Sequence, residues 1–294
     1  MKLSPIIYNG SKKRILKKLI SYFPKNINTF YDLFSGSAIV SMNVFAKKYV
    51  LNDNNPRVIE LYKAFRLYSH KEIISHIRKR IVQYNLPVRI THSKSLLCEY
   101  KKNFLSLKDY YNKSKNKNIL DLITLMYFSF SKQFRFNSKN YYNSAYGVNK
   151  IFTEENSIKN GCFFFNKENV FVHNKDFSQI NFRKLNKNDF VYLDPPYLNT
   201  EAVYNVAMGT WTKKDDKKLF NFCEELNKNG IKFGLSNVFS CRGKENKHLI
   251  KWCTKNNWYV KHIKINYCPN GKGLSNADEV FITNYSTEIK GTFD

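Results

Sequence analysis

Apolar positions along the chain fall into two rhythms. Short apolar runs bounded by Gly, Pro, Asn or Asp predict buried strands. They cover Thr29 to Leu33, Tyr49 to Asp53, Val170 to His173, Phe190 to Leu193, Ile231 to Ser236, the stretch from Trp258, and Glu279 to Ile282. A spacing of three to four residues predicts helices. One carries Ile15, Leu16, Leu19 and Ile20 and ends at Pro24; a second carries Ile39, Val40, Met42, Val44 and Phe45. Others span Ile59 to Leu67, Glu72 to Tyr84, Ile119 to Phe130, Asp215 to Lys228 with Gly230 as its cap, and residues 246–257. Strands that alternate with helices predict an α/β fold on a mainly parallel sheet.

That alternation is interrupted. Residues 57–160 are helical, basic and aromatic, with Lys/Asn-rich loops such as Asn112 to Asn118. Within them Phe130 to Lys150 has no helical period, is dense in Arg, Asn, Ser and Tyr, and reads as a loop or hairpin. Residues 1–56 and 161–294 are therefore expected to form the sheet domain, and 57–160 an inserted, mainly helical one. A length of 294 residues is consistent with two domains.

Charge narrows the function. Lys and Arg number 49 against 23 acids, a net charge of +26, and 16 % of residues are aromatic. The aromatic content excludes a disordered chain, and a chain-wide positive field points to a polyanion. The Lys-, Asn-, Ile- and Tyr-rich composition is also what AT-rich coding would produce, an alternative source for part of the charge. No run of 18 apolar residues predicts a membrane span, and Met1 to Gly10 lacks the apolar core of a secretory signal. A nucleic acid in the cytoplasm is the expected partner, with no membrane. Six cysteines (Cys98, Cys162, Cys223, Cys241, Cys253, Cys268) are scattered without a zinc spacing, so reduced thiols and no metal are expected.

The strongest chemical signal is Asp194-Pro195-Pro196-Tyr197, directly after an apolar strand. At average residue usage it arises by chance in about one chain of this length in a thousand. Two prolines remove backbone donors, which leaves carbonyls and a carboxylate as acceptors at the carboxyl edge of a parallel sheet, where α/β sites lie. Such a set suits an exocyclic amine with two N–H donors, and Tyr197 adds a flat face for a base. A second signal is Asp32-Leu33-Phe34-Ser35-Gly36-Ser37-Ala38, a strand running into a glycine turn. Asp53 ends the following strand, either as a ribose-binding carboxylate or as a plain strand-end acid.

Together these segments resemble the Dam-type (alpha group) DNA adenine N6-methyltransferases, most nearly those of T-even phages. Asp194 to Tyr197 matches the family's D-P-P-Y. Asp32 to Gly36 matches its D-x-F-x-G cofactor motif, with Ala38 where the third glycine usually stands. Tyr8-Asn9-Gly10-Ser11-Lys12 is similar to the family's opening segment, and 230–238 and 243–246 to later ones. The resemblance implies an S-adenosylmethionine-dependent methyltransferase (Rossmann-like) sheet with an inserted target-recognition domain. It implies catalysis by Asp194, Pro195, Pro196 and Tyr197, and a cofactor site of Tyr8, Lys12, Asp32, Phe34, Gly36, Asp53, Phe177 and Asp194. The target base is then flipped out of duplex DNA, and Tyr204-Asn205 is a candidate for closing its pocket.

Phe130 to Asn137 resembles the family's recognition segment and implies DNA contacts by Ser131, Gln133, Arg135 and Asn137. Where the family has Pro-Phe-Gly and then a guanine-reading Arg or Lys, this chain reads Ala145-Tyr146-Gly147-Val148-Asn149-Lys150. Asn149 takes the Arg position and Lys150 is the shifted alternative, so GATC is the leading site and a related one stays open. Cytosine C5 chemistry is excluded by the lack of a Pro-Cys dipeptide, since Cys268-Pro269 has the reverse order. An RNA or cytosine-N4 methyltransferase, or a DNA-binding protein on a decayed methyltransferase fold, are the alternatives. A cognate restriction endonuclease is an open partner, and a monomer or weak dimer is expected.

Overall fold

The computed structural model describes residues 1–8, 10–181, 184–198, 211–241, 243–263 and 277–287. In chain order its elements are α1 (Leu16–Ser21), β1 (Thr29–Asp32), β2 (Lys48–Asn52), α2 (Pro56–Leu67), α3 (His70–Gln83), α4 (Lys94–Lys113), α5 (Ile119–Phe128), α6 (Glu155–Phe165), β3 (Val170–His173), β4 (Phe190–Leu193), α7 (Lys213–Lys228), β5 (Lys232–Cys241), β6 (Lys244–Glu245), α8 (Lys247–Asn256), β7 (Tyr259–Ile263) and β8 (Asp278–Thr283). They divide into two compact units. The described residues of the helical unit come from Met1–Gly10 and Asn55–Glu168; those of the sheet unit come from Ser11–Asn54, Asn169–Ala202 and Thr210–Asp294.

The sheet runs in the order β3-β2-β1-β4-β5-β8-β7, with β6 paired to β5. β1, β2, β3, β4 and β5 pair in parallel, while β8 is antiparallel to β5 and β7. Phe30, Leu51, Val191, Leu193, Phe233, Leu235 and Ile282 are almost completely buried, as expected where helices cover a parallel sheet. From β1 the order proceeds through β2 to β3 on one side and through β4 to β5 on the other. The carboxyl ends of β1 and β4 therefore meet at a topological switch point, where α/β folds place their ligands. Both chemical motifs follow those two strand ends. Close approach is needed in β5: a Cβ on Gly234 would lie 2.3 Å from Phe281 Cζ and 2.9 Å from Phe190 Cζ.

The helix expected over Ile39 to Phe45 is replaced by a succession of turns. Helical bonds from Met42 N–H to the Ala38 carbonyl and from Val44 N–H to the Val40 carbonyl survive, but Asn43 N–H turns to the Val40 carbonyl and its Nδ2 donates to the Ile39 carbonyl at 2.8 Å. Just beyond, the Tyr49 hydroxyl donates to the Val44 carbonyl at 2.9 Å.

In the helical unit, α5 is buried on every side from Leu120 to Phe128. Its one acid, Asp121, accepts from Arg80 Nε and lies near His76 Nε2, each at 2.7 Å. Paired in this way, a carboxylate is tolerated in an apolar interior. α2 begins at Pro56 under the Asn55 cap and α3 under a Ser69/Glu72 capping box. α4 and α6 lie outside the predicted helices. α4 nevertheless buries Tyr100, Phe104, Leu107 and Tyr111 at helical spacing, a stripe diluted in sequence by Lys, Asn and Ser. Residues 130–150 fold back irregularly through bridges between Ser129 and Tyr146 and between Phe136 and Tyr142. Among the described residues no helix is long and apolar enough to cross a membrane.

Candidate active site

The turn after β1 is pinned to both neighbouring strands. Leu33 N–H donates to the Tyr192 carbonyl at 3.1 Å, and Ser35 N–H to the Asn52 carbonyl at 3.0 Å. Gly36 has φ +46°, and Ala38, in place of a third motif glycine, has φ +56°. An alanine in this left-handed region is strained. Gly36 N–H donates to Asp53 Oδ2 at 2.9 Å. Asp53 is buried, so it is not a solvated strand-end acid; its carboxylate ties the end of β2 to the glycine turn.

Asp32 lies beneath the turn and is 2 % exposed. Its Oδ2 accepts from the Ser41 hydroxyl at 2.6 Å, while Oδ1 has no partner among the described residues. Burial pushes this carboxyl up to about 7; the Ser41 bond opposes the rise, and the charges of Asp194 and Asp53 add to it. Three carboxylates thus act on one another at the switch point. Among the described residues no group of three or more His, Cys, Asp or Glu is arranged to hold a metal.

Directly after β4, Asp194, Tyr197 and Lys12 close a triangle. The Tyr197 hydroxyl donates to Asp194 Oδ1 at 2.9 Å, Lys12 Nζ donates to the Tyr197 oxygen at 2.7 Å, and Lys12 Nζ lies 2.9 Å from Asp194 Oδ1. Lys12 is buried, at 5 % exposure, so it is not a surface lysine. Withdrawal of Tyr197 from water, and then the charge of Asp194, raise its phenol well above the ordinary range, so it is a neutral donor. Pro195 and Pro196 offer no N–H between them.

An aromatic wall flanks the glycine turn. The Phe34 and Phe177 rings lie 5.2 Å apart, and Trp211 lies 5.9 Å from Phe34 and 6.2 Å from Phe177. Phe177 is buried in the core, while Phe34 and Trp211 are partly open. Trp211, its partner Asp216 and the Asp32 partner Ser41 are absent from the sequence-based site. The readable signal for Trp211 was its place just before Thr212 and Asp215, which form a helix-start capping box.

The remaining predicted site residues belong to the helical unit. Tyr8 packs its ring 5.9 Å from Phe134. Ser131 and Arg135 are exposed; Ser131 and Lys132 both have left-handed φ, at +53° and +51°. The Gln133 main-chain carbonyl accepts from the Ser129, Tyr142 and Ser144 hydroxyls. Asn137 Oδ1 accepts from the Lys139 and Tyr141 N–H groups, each at 3.0 Å, so that side chain holds the hairpin tip. Asn149 Oδ1 accepts from Thr91 N–H at 3.1 Å. Lys150 is half-buried, its N–H bonded to the Gly147 carbonyl at 3.2 Å. Asn9, Tyr204-Asn205 and Cys268-Pro269 lie outside the described residues.

Comparison with known proteins adds an independent line. Residues 8–266 match the family described as D12 class N6 adenine-specific DNA methyltransferase. The chain is 38 % identical to the modification methylase StsI of Streptococcus sanguinis, over 97 % of this chain and 43 % of that protein. It is 36 % identical to the type II methyltransferase M.FokI of Planomicrobium okeanokoites, over 98 % of this chain and 43 % of that protein. A DNA adenine methylase of Haemophilus influenzae is 25 % identical over 64 % of this chain and 61 % of that protein. The chain spans less than half the length of the first two of these relatives.

Proposed function

The chain belongs to the D12 class of N6 adenine-specific DNA methyltransferases, and from that premise we propose that it methylates the N6 amine of adenine at a specific site in duplex DNA. One observation carries the reading: the Asp194 carboxylate and a donor-free Pro-Pro turn stand at the switch point of the sheet, next to a strained glycine turn edged by further acids. S-adenosylmethionine, the donor the family implies, brings a sulfonium, an ammonium and a ribose diol. Those groups fit acceptors, and the buried Asp32 Oδ1, without a partner among the described residues, is an acceptor in want of a donor. Asp32, Asp53 and Asp194 would hold its polar groups, Gly36 would let the backbone come close, Phe34 would pack near it with Phe177 beside its adenine, and Lys12 would brace Asp194. When bound, the cofactor supplies an electrophilic methyl group.

The chain's own residues then act on the amine. Asp194 and the Pro195 carbonyl each accept one N6–H bond, which favours the positive charge that builds on nitrogen in the transition state. Tyr197 stacks on the base. Most of the acceleration is positioning. Because the target atom lies inside the duplex, the adenine has to be flipped out.

We assign DNA contact to the helical unit, with Ser131, Gln133, Arg135 and Lys150 as candidates for reading bases and the surrounding lysines for phosphates. GATC or a related site is the leading target, on the motif likeness to T-even phage Dam enzymes alone. The relatives above 30 % identity are named as modification methylases and methyltransferases of the type II kind, which supports a cognate restriction endonuclease as a partner. Expressing the protein in a methylation-deficient bacterium and sequencing the genome with modified-base detection tests the reading. N6-methyladenine at one recurrent motif is expected; an unmodified genome would overturn it.

A further inference from the structure

Trp211 is the residue before the Thr212 cap of α7, and Asp216 is the fourth residue of that helix. Helices commonly staple their first turn with an apolar pair at these two positions. Here the staple is polar: Trp211 Nε1 donates to Asp216 Oδ1 at 2.7 Å. Asp216 is 1 % exposed, and its Oδ2 has no partner among the described residues. Burial raises its carboxyl, opposed by the Trp211 bond and His248 and aided by Asp215. A half-satisfied buried carboxylate is unfavourable, and the Thr212/Asp215 capping box already secures the helix start. What the carboxylate adds is a fixed orientation for one ring. The indole stands at 74° to Phe34 and 38° to Phe177, and it is partly open like Phe34.

We propose that Asp216 is a positioning residue for cofactor binding: it holds the Trp211 indole in one aromatic wall with Phe34 and Phe177, against which the flat adenosyl group of the methyl donor lies. This rests on the methyltransferase reading above, and it gives that wall a member and a support that no motif names.

Calorimetric titration of the full chain with S-adenosylhomocysteine tests it. Asp216→Leu, which fills the space without an acceptor, should weaken binding about tenfold, while Asp216→Asn, which can still accept from Trp211, should stay within threefold of wild type. In a Trp211→Phe background, Asp216→Leu should add less than twofold, because the two act through one bond. At saturating cofactor, kcat and the KM for DNA should stay within twofold in Asp216→Leu, a split that general loss of structure would not give. Equal affinity of Asp216→Leu and wild type, or an equal loss in both backgrounds, overturns the proposal while the methyltransferase reading stands. Failure of the wild type itself to bind overturns both.

Discussion

The Tyr197 hydroxyl donates to Asp194 Oδ1, the same oxygen that Lys12 Nζ approaches to 2.9 Å. The acceptor proposed for the substrate amine is thus already turned and held by two neighbours. The two halves of Tyr197 are separable. Tyr197→Phe keeps the stacking face and leaves Lys12 on Asp194, so kcat/KM on DNA should fall less than about tenfold. Tyr197→Ala removes the face as well and should lose a further ~1–3 kcal/mol of base stacking. Steady-state kinetics on a duplex substrate checks both, and an equal loss for the two variants contradicts this division.

Asp32 makes stability depend on pH. Its folded pKa of about 7 lies above the ordinary unfolded value of about 3.9, so between them the folded state holds more protons. Stability should therefore fall as pH rises from about 4 to about 7 and level off above that. Asp32→Asn should remove that part of the slope. Urea unfolding at pH 5 and pH 8 should show the wild type losing about 1–4 kcal/mol more than the variant; parallel slopes would contradict the assignment.

Two backbone positions have opposite tolerances. Gly234 has no room for a Cβ between Phe281 and Phe190, so Gly234→Ala should destabilise by about 1–3 kcal/mol. Ala38→Gly relieves a left-handed alanine worth roughly 1–2 kcal/mol but gives up a buried methyl and about 0.5–1 kcal/mol of chain entropy, so it should lie within about 1 kcal/mol of wild type. Thermal or denaturant unfolding reads both.

In the helical unit, exposure separates reading from scaffolding. Arg135 is exposed, so Arg135→Ala should weaken cognate binding by about 1–3 kcal/mol, relax preference at one base pair and, where a phosphate contact is lost, lower the salt slope by about 1. Asn149 is committed to Thr91 N–H, so Asn149→Ala should weaken cognate and random duplexes alike. Fluorescence anisotropy on both duplexes at several salt concentrations distinguishes the two.

Much of this was legible in the sequence. Strands such as Phe190 to Leu193 stand out because a buried parallel strand is apolar on both faces, and Asp194 to Tyr197 stands out because its residue types are rare together. The turns over residues 39–45 were not legible: their apolar spacing is helical, and local side-chain bonds such as Asn43 Nδ2 to the Ile39 carbonyl compete with it. α4 was hidden because half of its buried stripe is tyrosine among lysines. Trp211 and Asp216 carry no motif and acquire meaning only when folding brings the indole to Phe34 and Phe177. Asn137 and Asn149 read as base-contacting amides, yet their side-chain oxygens bind nearby backbone, a use that residue type alone does not reveal.

The most direct measurement is transfer of labelled methyl from S-adenosylmethionine to duplex DNA by the purified chain, followed by digestion to nucleosides. Label is expected in N6-methyl-2′-deoxyadenosine alone, with its loss in Asp194→Ala while that variant still binds DNA. Label in N4-methyl-2′-deoxycytidine, transfer that survives in Asp194→Ala, or no transfer to any adenine-containing duplex would contradict the central claim.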